Sequence, residues 1–428
     1  MSLIVDLLQK GRPGRALTLL ARTPIPLVQP NRFADRQPSI EREDASALVT
    51  DVTPREPGPG KVLVGDVVVK DQVDVAGMRT GVGCADGGEV ATEDAPHVAR
   101  IIAAGGRIIG KAKMTELGMD GLGSLMHYAM PRNPRAPGYV PGGSSTGTAV
   151  AVASGLARWG VGGDGLGSIR IPAAFCGLVG LKPTRTRIER KGIRSPVRTL
   201  DAVGPITRTV EDCALMWQVM VGEDVAPIAP WVPSRVGVPV IGLRAARSVT
   251  SAFHRVLEAL SIEIERITIP GLDSATFLGG MTGAYELSTG PMRERTITGA
   301  GRTSLALGGA FSPADVARLE AQRAALREAA DRALARNPIL AMPTTAIPPP
   351  ALTSEIMSGK TNVFLLRSLG AYTPLANLCD LPAIAVPCGE DDRGRPLSIM
   401  FVANKGQETR LLEVALAVER TGLGRTRV

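Results

Sequence analysis

The chain has 428 residues, of which 44% are hydrophobic and 21% charged. This composition is that of a globular protein and excludes a disordered, collagenous or disulfide-stapled chain. Aromatic residues make up only 3%, which argues against aromatic-stacking nucleic-acid modules, and the net charge of +8 is mostly arginine, so it does not by itself point to an anionic partner.

The five cysteines, Cys84, Cys176, Cys213, Cys379 and Cys388, are widely spaced and form no CxxC pair. That spacing fits buried thiols in a reducing compartment rather than disulfides or zinc. The histidines are His97, His127 and His254. So few exclude a His-rich metal site, and no metal is expected. The sequence shows no charged-then-apolar leader and no apolar run of ~18 residues, so the expectation is a cytoplasmic protein with no membrane span.

Taken in chain order, a short helix is expected over 3–10. A Pro- and charge-rich stretch from Thr23 to Gly60 is expected to wrap the surface. Val62–Val64 and Val67–Val69 read as two strands around a turn at Gly65. A helix is predicted over Asp94–Ala104, a strand over Arg107–Gly110, a helix over Thr146–Arg158 and a strand from Trp159. Ser312–Ala335 reads as a long helix, with Ser312 as N-cap, Pro313 in the first turn and Asp315 completing a cap-like pattern. Strands at Ala383–Pro387 and Leu397–Ala403 and a closing helix over Gln407–Glu419 follow. The alternation predicts an α/β layered fold, and with no clear linker it reads as one large domain.

Three motifs are set aside. Gly105–Lys111 resembles a phosphate loop, but Ala112 stands where the metal-binding hydroxyl belongs and the interior is an apolar strand. Gly143–Gly147 matches G-x-S-x-G with Ser145 as nucleophile, but a loop precedes it and no suitable acid and histidine follow. The basic run from Arg185 to Arg198 has no interleaved aromatics and reads as a solvated loop.

The segment Pro141–Pro183, PGGSSTGTAVAVASGLARWGVGGDGLGSIRIPAAFCGLVGLKP, concentrates glycine and serine around a helix. Gly165-Leu166-Gly167-Ser168 can turn successive backbone N–H groups into one concavity, which is how main chain builds an oxyanion hole. A serine nucleophile needs a base. With histidine scarce, lysine is the alternative, because burial disfavours its charged form. Lys111, at the end of the apolar strand Ile108-Ile109-Gly110, is the candidate.

This segment resembles the signature of the amidase signature family, approximately GGSSGGS, an apolar helix, then GTDxGGSIRxPAAFCGxxGLKPT. Gly142–Ser145 matches the first part, and Asp164, Gly167–Arg170 and Pro172–Thr184 the second. Val67–Gly77 (VVVKDQVDVAG), Gly110–Leu117, Asp201–Asp212, Ala341–Thr344 and Pro374–Val402 resemble further stretches of the family. The resemblance implies a large mixed, mostly parallel-type central sheet flanked by helices on both faces. Residues 1–60 do not resemble the family and are expected to be a divergent segment packing on a domain over 61–428, in which the resemblance implies that 220–375 form the substrate pocket.

Carried over by position, Ser168 corresponds to the nucleophile. Ser144 corresponds to the bridging serine after a cis peptide bond from Gly143, and Lys111 to the base. The N–H groups of Gly165, Leu166, Gly167 and Ser168 would form the oxyanion hole, with Ser145, Asp164 and Arg170 as supports. The implied activity is hydrolysis of a small carboxamide through an acyl-enzyme, with no cofactor and with room for a homodimer. Three alternatives stay open: a urea- or carboxylated-urea-type hydrolase with Arg293, Arg302 or Arg367 clamping a carboxylate, the glutaminase subunit of a tRNA-dependent amidotransferase, and a catalytically silent scaffold. Tyr285, Phe364 and Tyr372 are candidate pocket walls or core. The chain departs from the family pattern at Lys113, Gly163, Gly165 and Leu166, which bears on pocket shape and on the charge near Lys111.

Overall fold

The structure, a computed structural model, describes residues 47–49, 54–124, 126, 128–295, 297, 299–357 and 363–424. The helix expected over 3–10, most of the expected surface wrap, and His127 lie outside those residues.

The strands are β1 (Gly65–Lys70), β2 (Arg79–Thr80), β3 (Glu89–Val90), β4 (Gly106–Ala112), β5 (Trp159–Asp164), β6 (Val179–Lys182), β7 (Ala202–Thr207), β8 (Arg235–Pro239), β9 (Glu263–Ile267), β10 (Ile339–Pro343), β11 (Ala383–Glu390) and β12 (Pro396–Ala403). The helices up to the middle of the chain are α1 (Pro96–Ala103), α2 (Thr146–Ala153), α3 (Arg170–Phe175), α4 (Val210–Val221) and α5 (Arg247–Ala259). Then come α6 (Ala275–Thr289), α7 (Gly299–Gly309), α8 (Pro313–Arg336), α9 (Ser354–Met357), α10 (Val363–Leu369), α11 (Pro374–Leu378) and α12 (Glu408–Arg420).

Among the described residues, ten strands make one sheet in the order β4-β1-β5-β7-β6-β11-β12-β10-β8-β9, and β2 pairs with β3 apart from it. The large sheet is mixed, as expected. Parallel pairing forms its two wings, β4-β1-β5 and β10-β8-β9, and antiparallel ladders join them through the middle. Alternate residues of a strand face opposite sides of a sheet. Accordingly Ile339 and Ala341 enter one core with Trp217 and Leu411, while Leu340 and Met342 enter another with Leu278 and Leu326. Helices α1, α4, α5 and α12 therefore cover one face, and α6, α8 and α11 the other. A third cluster joins Val68 and Ala112 to α2.

One expectation about the start of the sheet changes. Val62–Val64 is not a strand: the N–H groups of Val62 and Leu63 both donate to Ala104 O, and Val62 and Val64 are exposed. The described part of the N-terminal segment lies along edge strand β4, where Val49 and Arg55 N–H groups donate to Lys111 O and Ile108 O. An edge strand left bare is a pairing hazard, and this segment covers it.

The long helix is α8. Ser312 accepts from the Asp315 N–H and Asp315 returns a bond to the Ser312 N–H, which completes the capping box read from sequence. The five cysteines are all buried thiols. The basic run is tied into the protein rather than simply solvated: Arg187 pairs with Glu408 and Glu223, Lys191 with Glu93 and Arg194 with Asp74. No helix among the described residues is long and apolar enough to cross a membrane.

The reciprocal cap gives a direct check. Ser312→Ala removes the side-chain acceptor that the Asp315 N–H shares with Ser312 O, and should lower stability by about 1 kcal/mol, read as a shifted urea midpoint with unchanged slope.

Candidate active site

Lys70 ends β1, an apolar run that is central in its wing, between β4 and β5. Val68 faces the cluster around α2, so Lys70, two residues on, faces the same side. Its Nζ lies 2.8 Å from Ser144 Oγ and 2.8 Å from Gly163 O, and the side chain is buried. Burial is the chief effect on its ammonium and lowers the pKa to about 8, against the opposing pull of Asp201 and Asp164.

Lys111 does not meet Ser144. The β1–β4 register sets Lys111 beside Val69 and Ala112 beside Lys70. Val69 points into the opposite core from Val68, so alternation carries Lys111 to the face away from Ser144. There its Nζ donates to Arg79 O and Thr80 Oγ1 and lies 3.6 Å from Asp71 Oδ1. Asp71 in turn accepts from the N–H groups of Gly81 and Gly83, so this buried pair fastens the loop after β2. The criterion that singles out Lys111, a lysine closing an apolar strand, applies equally to Lys70 in VVVKD. One residue of strand phase separates them, and only the sheet order decides which one reaches the serines. Lys113 does not share the Lys111 environment either; its Nζ lies over the Tyr128 ring, 5.5 Å from the centroid.

Ser144 follows a cis peptide bond from Gly143, where it was expected. Ser145 Oγ donates to Gly163 O at 3.1 Å and its N–H donates to Ser168 O at 3.2 Å, so Ser145 ties the turn to the end of β5. It opens α2, with no strand before it, as the rejection of the elbow motif requires.

After β5 the chain turns around Asp164. This carboxylate accepts from the N–H groups of Gly167 at 2.6 Å and Ile169 at 3.1 Å, and from Arg170 Nε and Nη2 at 3.0 Å each. Burial alone would raise its pKa, but Arg170 and Asn377 hold it well below the usual carboxylate range. The turn needs glycine at 167: φ is +130°, and a Cβ would stand 2.5 Å from Thr373 Oγ1.

The set of free N–H groups is smaller than the four expected to form an oxyanion hole. The Gly167 N–H is committed to Asp164. The N–H groups of Gly165, Leu166 and Ser168 have no acceptor among the described residues. Residues not anticipated from sequence complete the bracing. Thr373 Oγ1 donates to Leu166 O, and its carbonyl accepts from Arg170 Nη1. Asn377 Nδ2 donates to Asp164 O and Leu200 O while its Oδ1 accepts from Arg170 Nη2. The stretch Pro374–Val402 carries a sequence resemblance but no hint of this contact.

Ser168 opens on a cavity of about 180 Å³. Its walls come from the 117–121 loop, the 165–171 turn, Val197, α6, and residues 366–374. They are mainly Leu117, Met119, Leu166, Ile171, Val197, Leu366 and Leu369, with several glycines. Of the polar walls, Thr276 Oγ1 donates to Gly370 O, and the Asp120 carboxylate accepts from Leu122 and Ser124. Tyr285, Phe364 and Tyr372 do not line it: Tyr285 stacks on Phe311, Phe364 is exposed and Tyr372 packs in the core. Nor do Arg293, Arg302 or Arg367. His97 is buried, its ring lowered to about 3 chiefly by that burial, and His254 packs edge-on to Phe253.

The Amidase family model matches residues 43–240 and 287–412. A fatty acid amide hydrolase of Oryza sativa subsp. indica is 31% identical over 76% of this chain and 59% of its own length, so the chain spans well under two thirds of that plant relative. A glutamyl-tRNA(Gln) amidotransferase subunit of Akkermansia muciniphila is 30% identical over 82% of this chain and 85% of its own. Among solved structures, one described as an amidase superposes with TM-score 0.75 at 29% identity, covering 86% of each chain. The corresponding amidotransferase subunit of Thermotoga maritima superposes with TM-score 0.73 at 23% identity over 89% of this chain and 90% of its own, a likeness of fold. With the family model matching both halves of the serine-rich turn and most of the sheet, the chain belongs to the amidase signature family.

Proposed function

We propose that the protein is an amidase that cleaves the C–N bond of a small carboxamide through a Ser168 acyl-enzyme, with Lys70 rather than Lys111 as the base. The observation that carries this is the 2.8 Å contact from Lys70 Nζ to Ser144 Oγ, beside a serine that faces a cavity. A protonated Lys70 donates to both Ser144 Oγ and Gly163 O. Once neutral, it still donates to Gly163 O, and its lone pair accepts the Ser144 O–H.

From that state Ser168 Oγ attacks the amide carbon. Its proton moves to Ser144 as the Ser144 proton moves to Lys70. The oxyanion faces the N–H groups of Gly165, Leu166 and Ser168. The C–N bond then breaks, and the leaving amine takes a proton from Ser144, which is reprotonated by Lys70. Water, deprotonated along the same route, releases the acid and restores Ser168. The amine departs from the Ser144 side and the acyl group occupies the cavity.

An apolar cavity with no Arg or Lys among its described walls favours an uncharged acyl group over a carboxylated urea. It equally disfavours the charged end of glutamine, so similarity to amidotransferase subunits supports the chemistry without extending to their substrate.

Mass mapping after fluorophosphonate treatment tests the assignment. A single adduct on Ser168 is expected, absent in Ser168→Ala. Lys70→Ala and Ser144→Ala should each slow labelling by ~10²–10⁴-fold. An adduct on Ser145, or normal labelling in Lys70→Ala, would sink the relay. Lys111→Met should keep a labelled Ser168 in whatever protein folds, while losing roughly 3–5 kcal/mol because buried Asp71 is left unpaired.

The reactive form has neutral Lys70, so kcat/KM should climb as pH rises through about 8. A profile already flat from pH 6 to 9 would contradict lysine as the base.

Arg170→Met strands a buried Asp164 carboxylate and should cost roughly 3–5 kcal/mol in chemical denaturation. Labelling of Ser168 should fall with it, since the turn that holds the free N–H groups depends on that pair.

A further inference from the structure

Helix α6 carries Thr276, Gly279, Gly280 and Gly283 on one face, at helical spacing, and all four line the cavity. Each glycine inside a helix lowers its stability relative to alanine, so each calls for a steric reason. Two have one. A Cβ at Gly279 would stand 2.5 Å from Leu166 Cδ2, and one at Gly283 would stand 3.2 Å from Val197 Cγ1. Gly280 has none: a Cβ there meets no atom within 4 Å. What that missing side chain leaves open is the cavity.

Leu166 is the counterpart. It carries one of the free N–H groups beside Ser168, and its side chain is the cavity wall that Gly279 admits. A leucine in the turn and a glycine on the facing helix are matched in shape, so the bulk of Leu166 narrows the acyl side without displacing α6.

We propose that Gly280 and Leu166 together set acyl-chain length, and that the preferred substrates are amides of apolar acids whose tail has roughly six or seven carbons, since a dry cavity of about 150 Å³ holds benzene and this one measures about 180 Å³. Gly280 sets the depth that a tail can reach, and Leu166 sets the width beside the reacting carbonyl. This inference rests on Ser168 being the acylated residue. Longer tails must leave the cavity, and very short ones leave its apolar wall uncovered.

The test uses the full chain and ethyl- and hexylphosphonofluoridate, which report the acyl side without a known leaving group. Adduct formation on Ser168 is followed by mass, and the readout is the hexyl-to-ethyl ratio of labelling rates. Gly280→Leu should lower that ratio at least ~10-fold, the scale of methylene discrimination in an apolar pocket. Gly280→Ala, which suits a helix better, should lower it less and keep the test available if leucine is not tolerated. Leu166→Ala keeps the backbone N–H and should raise the ratio for a branched or aromatic phosphonate relative to hexyl.

Equal losses for both chain lengths in the Gly280 variants, or an unchanged ratio, overturn the inference while leaving Ser168 as nucleophile. If neither reagent labels Ser168 in the unaltered protein, the acyl-enzyme reading falls, and the inference with it.

Discussion

Asp164 is a fully buried carboxylate at the end of a central strand, and the site depends on how it is satisfied. A buried charge is tolerated only when it is paired and hydrogen-bonded. Asp164 meets that demand with Arg170, Asn377 and the N–H groups of Gly167 and Ile169. Drawing the chain around one carboxylate fixes the backbone direction from 165 to 170. The N–H groups that do not turn inward to Asp164, those of Gly165, Leu166 and Ser168, are left without acceptors among the described residues. The proposed oxyanion hole is thus what remains after the structural anion has taken its donors.

The same carboxylate acts on Lys70, the proposed base. Asp164 and Asp201 both favour a charged Lys70, and burial opposes them and prevails. Asp201 is itself restrained: burial pushes it up, against Arg190 and Lys70, and it accepts from Gln72 Nε2 at 2.7 Å. Asp71 sits one residue after Lys70 but binds Gly81 and Gly83 on the other side of the sheet. Strand alternation keeps it from becoming the partner that would hold Lys70 permanently protonated. The interior here holds Asp71, Asp164 and Asp201 with Lys70 and Lys111 in separate compartments, and the sheet divides them.

The signature turn is legible in the sequence because its chemistry is local. Glycine at 167, serine at 144 and 168, and the Asp164–Arg170 spacing lie within one short segment, where sequence distance stands in for spatial distance. The capping box at Ser312 is legible for the same reason. The lysine that meets Ser144 is not, because a strand end in sequence says nothing about which neighbours flank the strand. Lys70 and Lys111 both close apolar runs, and choosing between them needs the order β4-β1-β5 and the phase of the pleat. Asn377 and Thr373 escape a sequence reading for a related reason. They lie far along the chain from the turn that they brace, at a short helix whose sequence carries no catalytic residue type. Val62–Val64 fails differently: an apolar run reads as a strand, where the chain instead crosses the end of α1 with two of its valines in solvent.

The division of labour between the two halves of the site follows from these same constraints. The proposed relay is built on β1, β5 and the start of α2, largely buried elements, so its distances are fixed by close packing that tolerates little change. The cavity proposed to take the acyl group is bounded instead by a loop, the Leu166 turn and the helices α6 and α10. The turn that carries Leu166 and Ser168 is the element that both halves share. Side chains on α6 can therefore change size without moving Asp164 or Lys70. In that arrangement the sheet holds the Lys70–Ser144 contact, the proposed proton path, while most of the cavity wall lies outside it.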